Sequence, residues 1–351
     1  MSRSKLLLAA SLGAAALAMP QTASAQVVTG LDALRNWNLM VLGDLTSSSE
    51  VEGRTYVTGN LNGNSSNYQI RTPSDATVSG LPGLTVVGDV TGGAKNLNNG
   101  SGAVIGGNVD SGFNLNGAPQ TVKVGGTISN TNVNSNTVNS GLAASDPAFM
   151  SDLQLQASVL DSSLHDLSHD LAGLDANSTA TFSGNRGTFD ATPGADGVAV
   201  FSIDAADLDS IGEIQFNTNG ADTVVVNVAG ADINLNDNFL GGTSGLGENV
   251  IWNFSEAETL DLSTAWGGSV LAPDADAHTR NYVEGSAVFG NLVQDGEFHL
   301  GTYAGGYNPP SNPGGGGDPT PVPEPGTMLL FLIGAGGLFY VARRQRKTAA
   351  A

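Results

Sequence analysis

His165 and His169 stand four residues apart in a stretch of helical periodicity, a spacing that could present two imidazoles to one metal ion. At about 100° per residue both fall opposite the apolar stripe, so they read as solvent-facing and no metal is expected. Two other segments are rich in oxygen ligands: Asp274 with Asp276, and Asp232 with Asn234 and Asp237. Calcium takes about six to eight oxygens in a defined loop. Neither segment follows an EF-hand or a nonapeptide repeat, so both read as solvated turns. His278 and His299 are isolated, and no Ser/His/Asp arrangement can be placed by motif. The Gly-rich piece Asn96–Gly102 lacks the strand–Gly–Lys–helix context of a phosphate loop. Trp252 and Trp266 read as core or strand-end residues rather than carbohydrate platforms. The chain has no cysteine, which removes disulfides, thiolate metal sites and thiol nucleophiles. No catalytic residue and no cofactor is expected.

What remains is a scaffold. Among 351 residues there are 48 glycines, and only 13% of residues are charged. Short motifs recur along the first half: Leu42-Gly43-Asp44-Leu45, Thr58-Gly59-Asn60-Leu61, Val87-Gly88-Asp89-Val90, Gly107-Asn108-Val109 and Gly126-Thr127-Ile128. Glycines 88, 107 and 126 are 19 apart and glycines 43 and 59 are 16 apart, with a polar insertion around Asn64 to Thr77. Strand-like content repeating near 20 residues predicts a β-solenoid, in which β-branched residues stack inward and Gly and Asn turn the corners. A β-sandwich of Gly-rich hairpins is the alternative.

One segment breaks the pattern. Asp146-Pro147 supplies an N-cap and a first-turn proline. Phe149, Leu153, Leu160, Leu164, Leu167, Leu171 and Leu174 follow at helical spacing, with Gly173 and Asn177 where a helix would stop. This predicts one amphipathic helix over about 147–174, packed on the strands. Its polar face carries Asp152, Asp161, Asp166 and Asp170 rather than lysines, which argues against a membrane-surface role. Strand signals return at Val198–Ile203, Ile214–Asn217, Thr223–Ala229 and Val250–Phe254. Val283-Glu284-Gly285 with Phe289-Gly290-Asn291-Leu292 echoes Val51-Glu52-Gly53 with Thr58-Gly59-Asn60-Leu61, as if the chain returned to its starting stack.

The two ends carry processing signals. Residues 1–25 read as a secretory signal peptide: Arg3 and Lys5, an apolar run from Leu6 to Ala18, then Ala23-Ser24-Ala25 before Gln26. Residues 26–307 form the body, and 308–322 a Pro/Gly-rich linker that neither helix nor strand can use. Pro323-Glu324-Pro325 then precedes a short apolar helix over 327–342 and the basic residues Arg343, Arg344, Arg346 and Lys347. Its fifteen apolar residues from Met328 to Ala342 would span about 22 Å, short of a ~30 Å hydrocarbon core, so a transient anchor is expected. The arrangement over 323–347 resembles the PEP-CTERM sorting signal of Gram-negative bacteria. That resemblance implies that a membrane-embedded exosortase recognises the motif and removes the helix after the secretion machinery has exported the body.

A second resemblance covers about Leu31 to Leu300. Asn38–Leu45 with Val51-Glu52-Gly53-Arg54, then Val250–Phe254, Trp266–Pro273 and Gly296–His299, resemble the opening and closing motifs of the choice-of-anchor A family. This implies an ice-binding-like adhesive domain with a right-handed β-helix flanked by one long helix, and adhesion or association with a matrix such as exopolysaccharide. It brings no catalytic residues with it.

Charge narrows the partners. Between Gln26 and Pro325 seven basic residues face 33 acids, a net charge of −26. Such a body repels phosphate backbones, so no nucleic acid is expected. The leading expectation is a non-enzymatic surface or matrix protein. An exopolysaccharide-acting enzyme on a β-helix, which would need a groove of clustered carboxylates, and an inert matrix component are its rivals.

Overall fold

The recurring Gly-Asx motifs each begin a coil of a solenoid. The computed structural model describes residues 27–73 and 77–308. Gly59 N donates to Gly43 O at 2.8 Å, and the same bond joins Gly88 to Gly59, Gly107 to Gly88 and Gly126 to Gly107, each at 2.9 Å. The chain is mainly β with parallel pairing, and most coils contribute short strands to three faces. Among the described pairings only Ala180–Ser183 with Arg186–Asp190 runs antiparallel.

The first face is the longest. Its strands lie in the order Thr137–Asn139, Thr121–Val124, Ala103–Ile105, Leu84–Val86, Thr55–Val57, Leu39–Val41, Ala287–Gln294, Ser269–Thr279, Val250–Asn253, Thr223–Ala229 and Val198–Asp204. The chain therefore starts in the middle of the stack and climbs to one end. It restarts at the other end and returns, so that Leu39–Val41 pairs with Ala287–Phe289. Phe298 likewise lies beside Val51. The echo between the two sequence motifs marks this closing seam.

Many strands of this face are buried on both sides, which is why Val224-Val225-Val226 is apolar without alternation. Inward side chains such as Leu39, Val57, Val86, Val226 and Phe289 fill the solenoid core. Outward ones, including Met40, Val225, Ile251, Leu271 and Val288, form a second core beneath helices. Helix α1 (Gly30–Asn36) contributes Leu31 and Leu34, α2 (Leu142–Ser145) buries nothing, and α3 (Pro147–Ala172) supplies the main cover.

Helix α3 follows from the residues that announced it. The Asp146 carboxylate accepts from Ala148 N at 3.1 Å, Pro147 occupies the first turn, and Gly173 caps the end. Leu153, Leu160, Leu164, Leu167 and Leu171 are buried, whereas Phe149 and Leu174 at the two ends are half-buried. A buried polar contact fixes its position. Asn253 Nδ2 donates to Ser168 O (2.8 Å) and Asn227 Oδ1 (2.9 Å), while Asn227 Nδ2 donates to Leu171 O (2.8 Å).

Both ends of the body are tied down beside α3. Gly30 N donates to Ser163 Oγ at 3.1 Å. Arg35 donates to Gly305 O at 2.7 Å and lies over the Tyr303 ring, whose hydroxyl meets Thr223 Oγ1 at 2.6 Å.

Two expectations need correction. The polar insertion is shorter than Asn64–Thr77, because Ser66–Tyr68 is a strand of the third face, with Ser66 and Tyr68 pointing inward. The segments around Asp232 and Asp276 are strands rather than turns, for a reason given below. The signal peptide 1–25, the sorting residues Pro323, Glu324 and Pro325, the helix 327–342 and the basic tail lie outside the described residues. Within them no helix is long and apolar enough to cross a membrane.

Candidate binding face

The second face of the solenoid is a flat array of short polar side chains. Its inward positions are Ile233, Leu260, Ala277, Leu292, Leu45, Leu61, Val90, Val109 and Ile128, one per rung. Alternation along each strand sends the flanking residues outward. The pairing register aligns them in two columns of nine. The first reads Asp232, Thr259, Asp276, Asn291, Asp44, Asn60, Asp89, Asn108 and Thr127. The second reads Asn234, Asp261, His278, Val293, Thr46, Asn62, Thr91, Asp110 and Ser129. Rungs stand about 4.8 Å apart and the columns about 6.7 Å apart, so the array is about 38 Å long.

From Asp276 to Thr127 the first column is a continuous ladder. Asp44 N donates to Asn291 Oδ1 (2.8 Å), Asn60 N to Asp44 Oδ1 (2.7 Å), Asp89 N to Asn60 Oδ1 (2.9 Å), Asn108 N to Asp89 Oδ1 (2.6 Å) and Thr127 N to Asn108 Oδ1 (3.0 Å). Acid and amide alternate from Asp276 to Asn108, so each carboxylate can also accept from an amide: Asn291 Nδ2 to Asp276 (2.8 Å), Asn60 Nδ2 to Asp44 (3.1 Å), Asn108 Nδ2 to Asp89 (3.3 Å). The alternation keeps carboxylates about two rungs apart, where like charges on adjacent rungs would repel.

The ladder also accounts for the glycines. A Cβ at Gly43, Gly59, Gly88, Gly107 or Gly126 would overlap the Asx oxygen of the preceding rung. Glycine is required there for space, not for backbone dihedral. The paired sequence Gly-Asx is thus one device, with the Asx reaching forward and the next glycine making room.

The second column is free of such bonds at its centre. Thr46, Asn62, Thr91 and Asp110 make no side-chain hydrogen bond to a described residue, and the apolar Val293 is exposed beside them. At one end Arg280 forks onto Asp261 (3.1 and 2.6 Å), and His278 bonds Asp295 at 2.9 Å. The Arg280 bond holds the Asp261 carboxyl below the usual range, and the His278 bond does the same for Asp295.

The other candidates fall elsewhere. Helix α3 carries both His165 and His169, but only His169 is exposed. His165 is half-buried, its Nδ1 2.9 Å from Asp161 O and its Nε2 3.2 Å from Asp274 Oδ1. Burial alone would lower its pKa, but these groups and the two carboxylates outweigh that and raise it. The two imidazoles line a cleft of about 530 Å³ with Glu256 and Asp274. Among the described residues no three His, Asp or Glu side chains are grouped as a metal ion would need. Trp252 and Trp266 are fully buried, their rings 4.9 Å apart, in an aromatic core with Phe189, Phe216 and Phe239.

Two ionisable groups are buried against expectation: Lys95, which carried no signal in the sequence, and Asp237, expected in a solvated turn. Lys95 is fully buried at the corner between the second and third faces, where Nζ meets Asn64 O at 2.6 Å, and burial lowers its pKa to about 8. Asp237 lies buried at a corner of the returning half, its Oδ1 without a partner. Burial, then the nearby Asp209 charge, raises its pKa to about 6.

Residues 30–300, a span that contains the whole array, match the family model of an ice-binding-like adhesive domain. The chain belongs to that family. Residues 321–347 match the PEP-CTERM protein-sorting motif, which marks an exported surface protein handled by an exosortase. No curated protein and no solved structure matches the chain. In the adhesive domain the three faces are unequal. One is covered by α3, and the third is interrupted where a seven-stranded sheet, from Phe113–Leu115 to Trp266–Gly267, gives way to a four-stranded one, from Asn238–Leu240 to Ala180–Ser183. The second presents nine consecutive rungs in register.

Proposed function

We propose that the adhesive domain is a non-enzymatic module that holds matrix polysaccharide along the two-column face. The observation carrying this reading is the nine-rung register, in which the first column is tied into its own ladder from Asp276 to Thr127 and the centre of the second column offers hydroxyl, amide and carboxylate groups with no side-chain bond to a described residue. A repeating polar ligand can meet such a surface many times with weak contacts, and many copies on one cell surface multiply the effect. On this reading the coils wind right-handed, the sense found in about 98% of parallel crossovers. Export removes residues 1–25 to leave Gln26 first, and the exosortase acts at Pro323-Glu324-Pro325, so that the helix 327–342 and the tail Arg343–Lys347 anchor the protein only in transit.

The test uses beads densely coated with the exported protein and the polysaccharide of the same cell. Retention should be lost on Thr46→Val/Asn62→Ala/Thr91→Val, with melting unchanged, and no reducing ends should appear. New reducing ends would favour an enzyme, and neither retention nor turnover would leave an inert matrix component. Intact-mass analysis of released protein checks the processing; recovery of Arg343–Lys347 outside the inner membrane would refute it.

A further inference from the structure

The two ends of the solenoid are finished differently. At the end formed by the returning half, the outer edge of Val198–Asp204 is laced shut. Asn177 Oδ1 accepts from Val200 N (2.8 Å), its Nδ2 donates to Val198 O (3.0 Å), and Ser178 N donates to Val200 O (3.0 Å). An antiparallel hairpin closes the neighbouring sheet. Acids surround this end, among them Asp175, Asp190, Asp196 and Asp204, all exposed.

The opposite end is closed less completely: Thr131 Oγ1 accepts from Phe113 N at 2.9 Å on the edge of Phe113–Leu115, but among the described residues nothing laces the edge of Thr137–Asn139. The core columns finish in Leu115, Ile128 and Val138, each half-buried, although Leu97, Val109 and Val122 one rung earlier are fully covered. Thr137–Asn139 is the last strand. Thr137 N donates to Gln120 O, so alternation turns the N–H and C=O of Val138 outward, past the final rung. Helix α2 lies nearby with nothing buried, and Val133 is 40% exposed.

Charge decides what can cover this end. From Thr127 to Ser145 the sequence contains no charged residue, in a body of net charge −26. Open strand edges are commonly guarded by lysine, proline or inward charge, and this edge has none of these. Elsewhere two copies would bring carboxylates together, and the acidic, laced end cannot accept the open one. Two uncharged tips can meet without that repulsion.

We infer that the Thr127–Ser145 tip is a self-association surface that pairs with the same tip of a second copy. The pairing is two-fold, so it closes as a dimer rather than growing into a fibre. It does not depend on the polysaccharide reading.

Because the chain has no cysteine, single thiols report the contact cleanly. Val133→Cys places one at the open tip and Ser183→Cys one at the laced end, both at exposed positions. With the exported protein, a short thiol-specific cross-linker should give covalent dimers from Val133→Cys and monomers from Ser183→Cys. Sedimentation of the cysteine-free protein should show a dimer that Thr137→Glu/Asn139→Glu weakens at least tenfold with melting unchanged. Equal cross-linking of the two variants, or a dimer indifferent to the added charges, overturns the inference. So does a monomer throughout, which is what covering by the chain's own terminal segments would give.

Discussion

Gly126→Ala tests the link between glycine and ladder. Gly126 has no positive φ, so alanine's own backbone preference is not offended. The added Cβ would overlap Asn108 Oδ1 and lie 2.9 Å from Asn108 Cγ, with Gly107 O at 3.0 Å. Asn108 must therefore swing away, losing the bonds its oxygen accepts from Thr127 N and Thr127 Oγ1, both 3.0 Å. Each is worth about 0.5–1.5 kcal/mol. Alanine returns about 0.4–1 kcal/mol by stiffening the unfolded chain, which leaves a net loss of about 1–2 kcal/mol. Asn108→Ala alone loses these bonds and the 3.3 Å bond from Asn108 Nδ2 to Asp89, at similar or slightly greater cost. With both changes the bonds can be lost only once, and the new methyl meets little beyond Gly107 O. The double variant should thus be hardly less stable than Asn108→Ala, a coupling of about 1–2 kcal/mol in a cycle measured by urea unfolding at constant m. Additivity within about 0.5 kcal/mol, or a neutral Gly126→Ala, would refute the reasoning.

Three further outcomes are expected. Leu167→Asp puts a carboxylate into the buried seam beneath α3 and should cost several kcal/mol, about 3 or more; melting together with the wild type would show that the helix is not packed there. Asn253→Leu strands the Ser168 carbonyl and the Asn227 oxygen and should cost about 2–4 kcal/mol by thermal melting, whereas a neutral result would mean the contact carries no weight. Asp237, with its pKa raised to about 6, penalises the fold above that pH, and the penalty fades as pH falls from 6 towards 4, where the folded state keeps a proton the unfolded state gives up. Asp237→Asn should then stabilise at pH 7 by about 1–2 kcal/mol after screening and flatten stability between pH 4 and 6; destabilisation at pH 7 would mean the carboxylate is partnered.

The parts legible in advance were those that announce themselves locally. Asp146-Pro147 and the leucine stripe specify α3, Thr223–Ala229 is a long β-branched run, and the return of Val-Glu-Gly and Gly-Asn-Leu betrays the seam. The two-column face was legible only as a period. Asp and Asn ordinarily favour turns because they bond their own backbone, so Asp232, Asn234 and Asp276 read as loops. In a solenoid the neighbouring rung supplies a partner for such side chains, and the same residue types become strand residues. Three-residue strands such as Ser66–Tyr68 are too short for alternation to register. The His165–Asp274 contact joins residues 109 apart, a pairing only the register of the finished stack creates. The open tip shows itself through half-buried Leu115, Ile128 and Val138, whose exposure depends on which rung is last.

Because the chain enters and leaves the stack at its middle, tension reaches the domain in an unusual place. If the proposed ligand holds the two-column face, a pull on the polypeptide beyond Tyr307 first meets the strap of Ala304 on Glu248 and Tyr307 on Thr223. It then meets the short strand Phe298–His299 and finally Ala287–Gln294. These contacts are loaded one after another, as in peeling, instead of all at once as in shear. Rupture should begin at the seam and open the solenoid like a book, leaving two half-stacks still paired within themselves. Force spectroscopy on a chain held at the two-column face and pulled beyond Tyr307 should therefore show the closing rung yielding first.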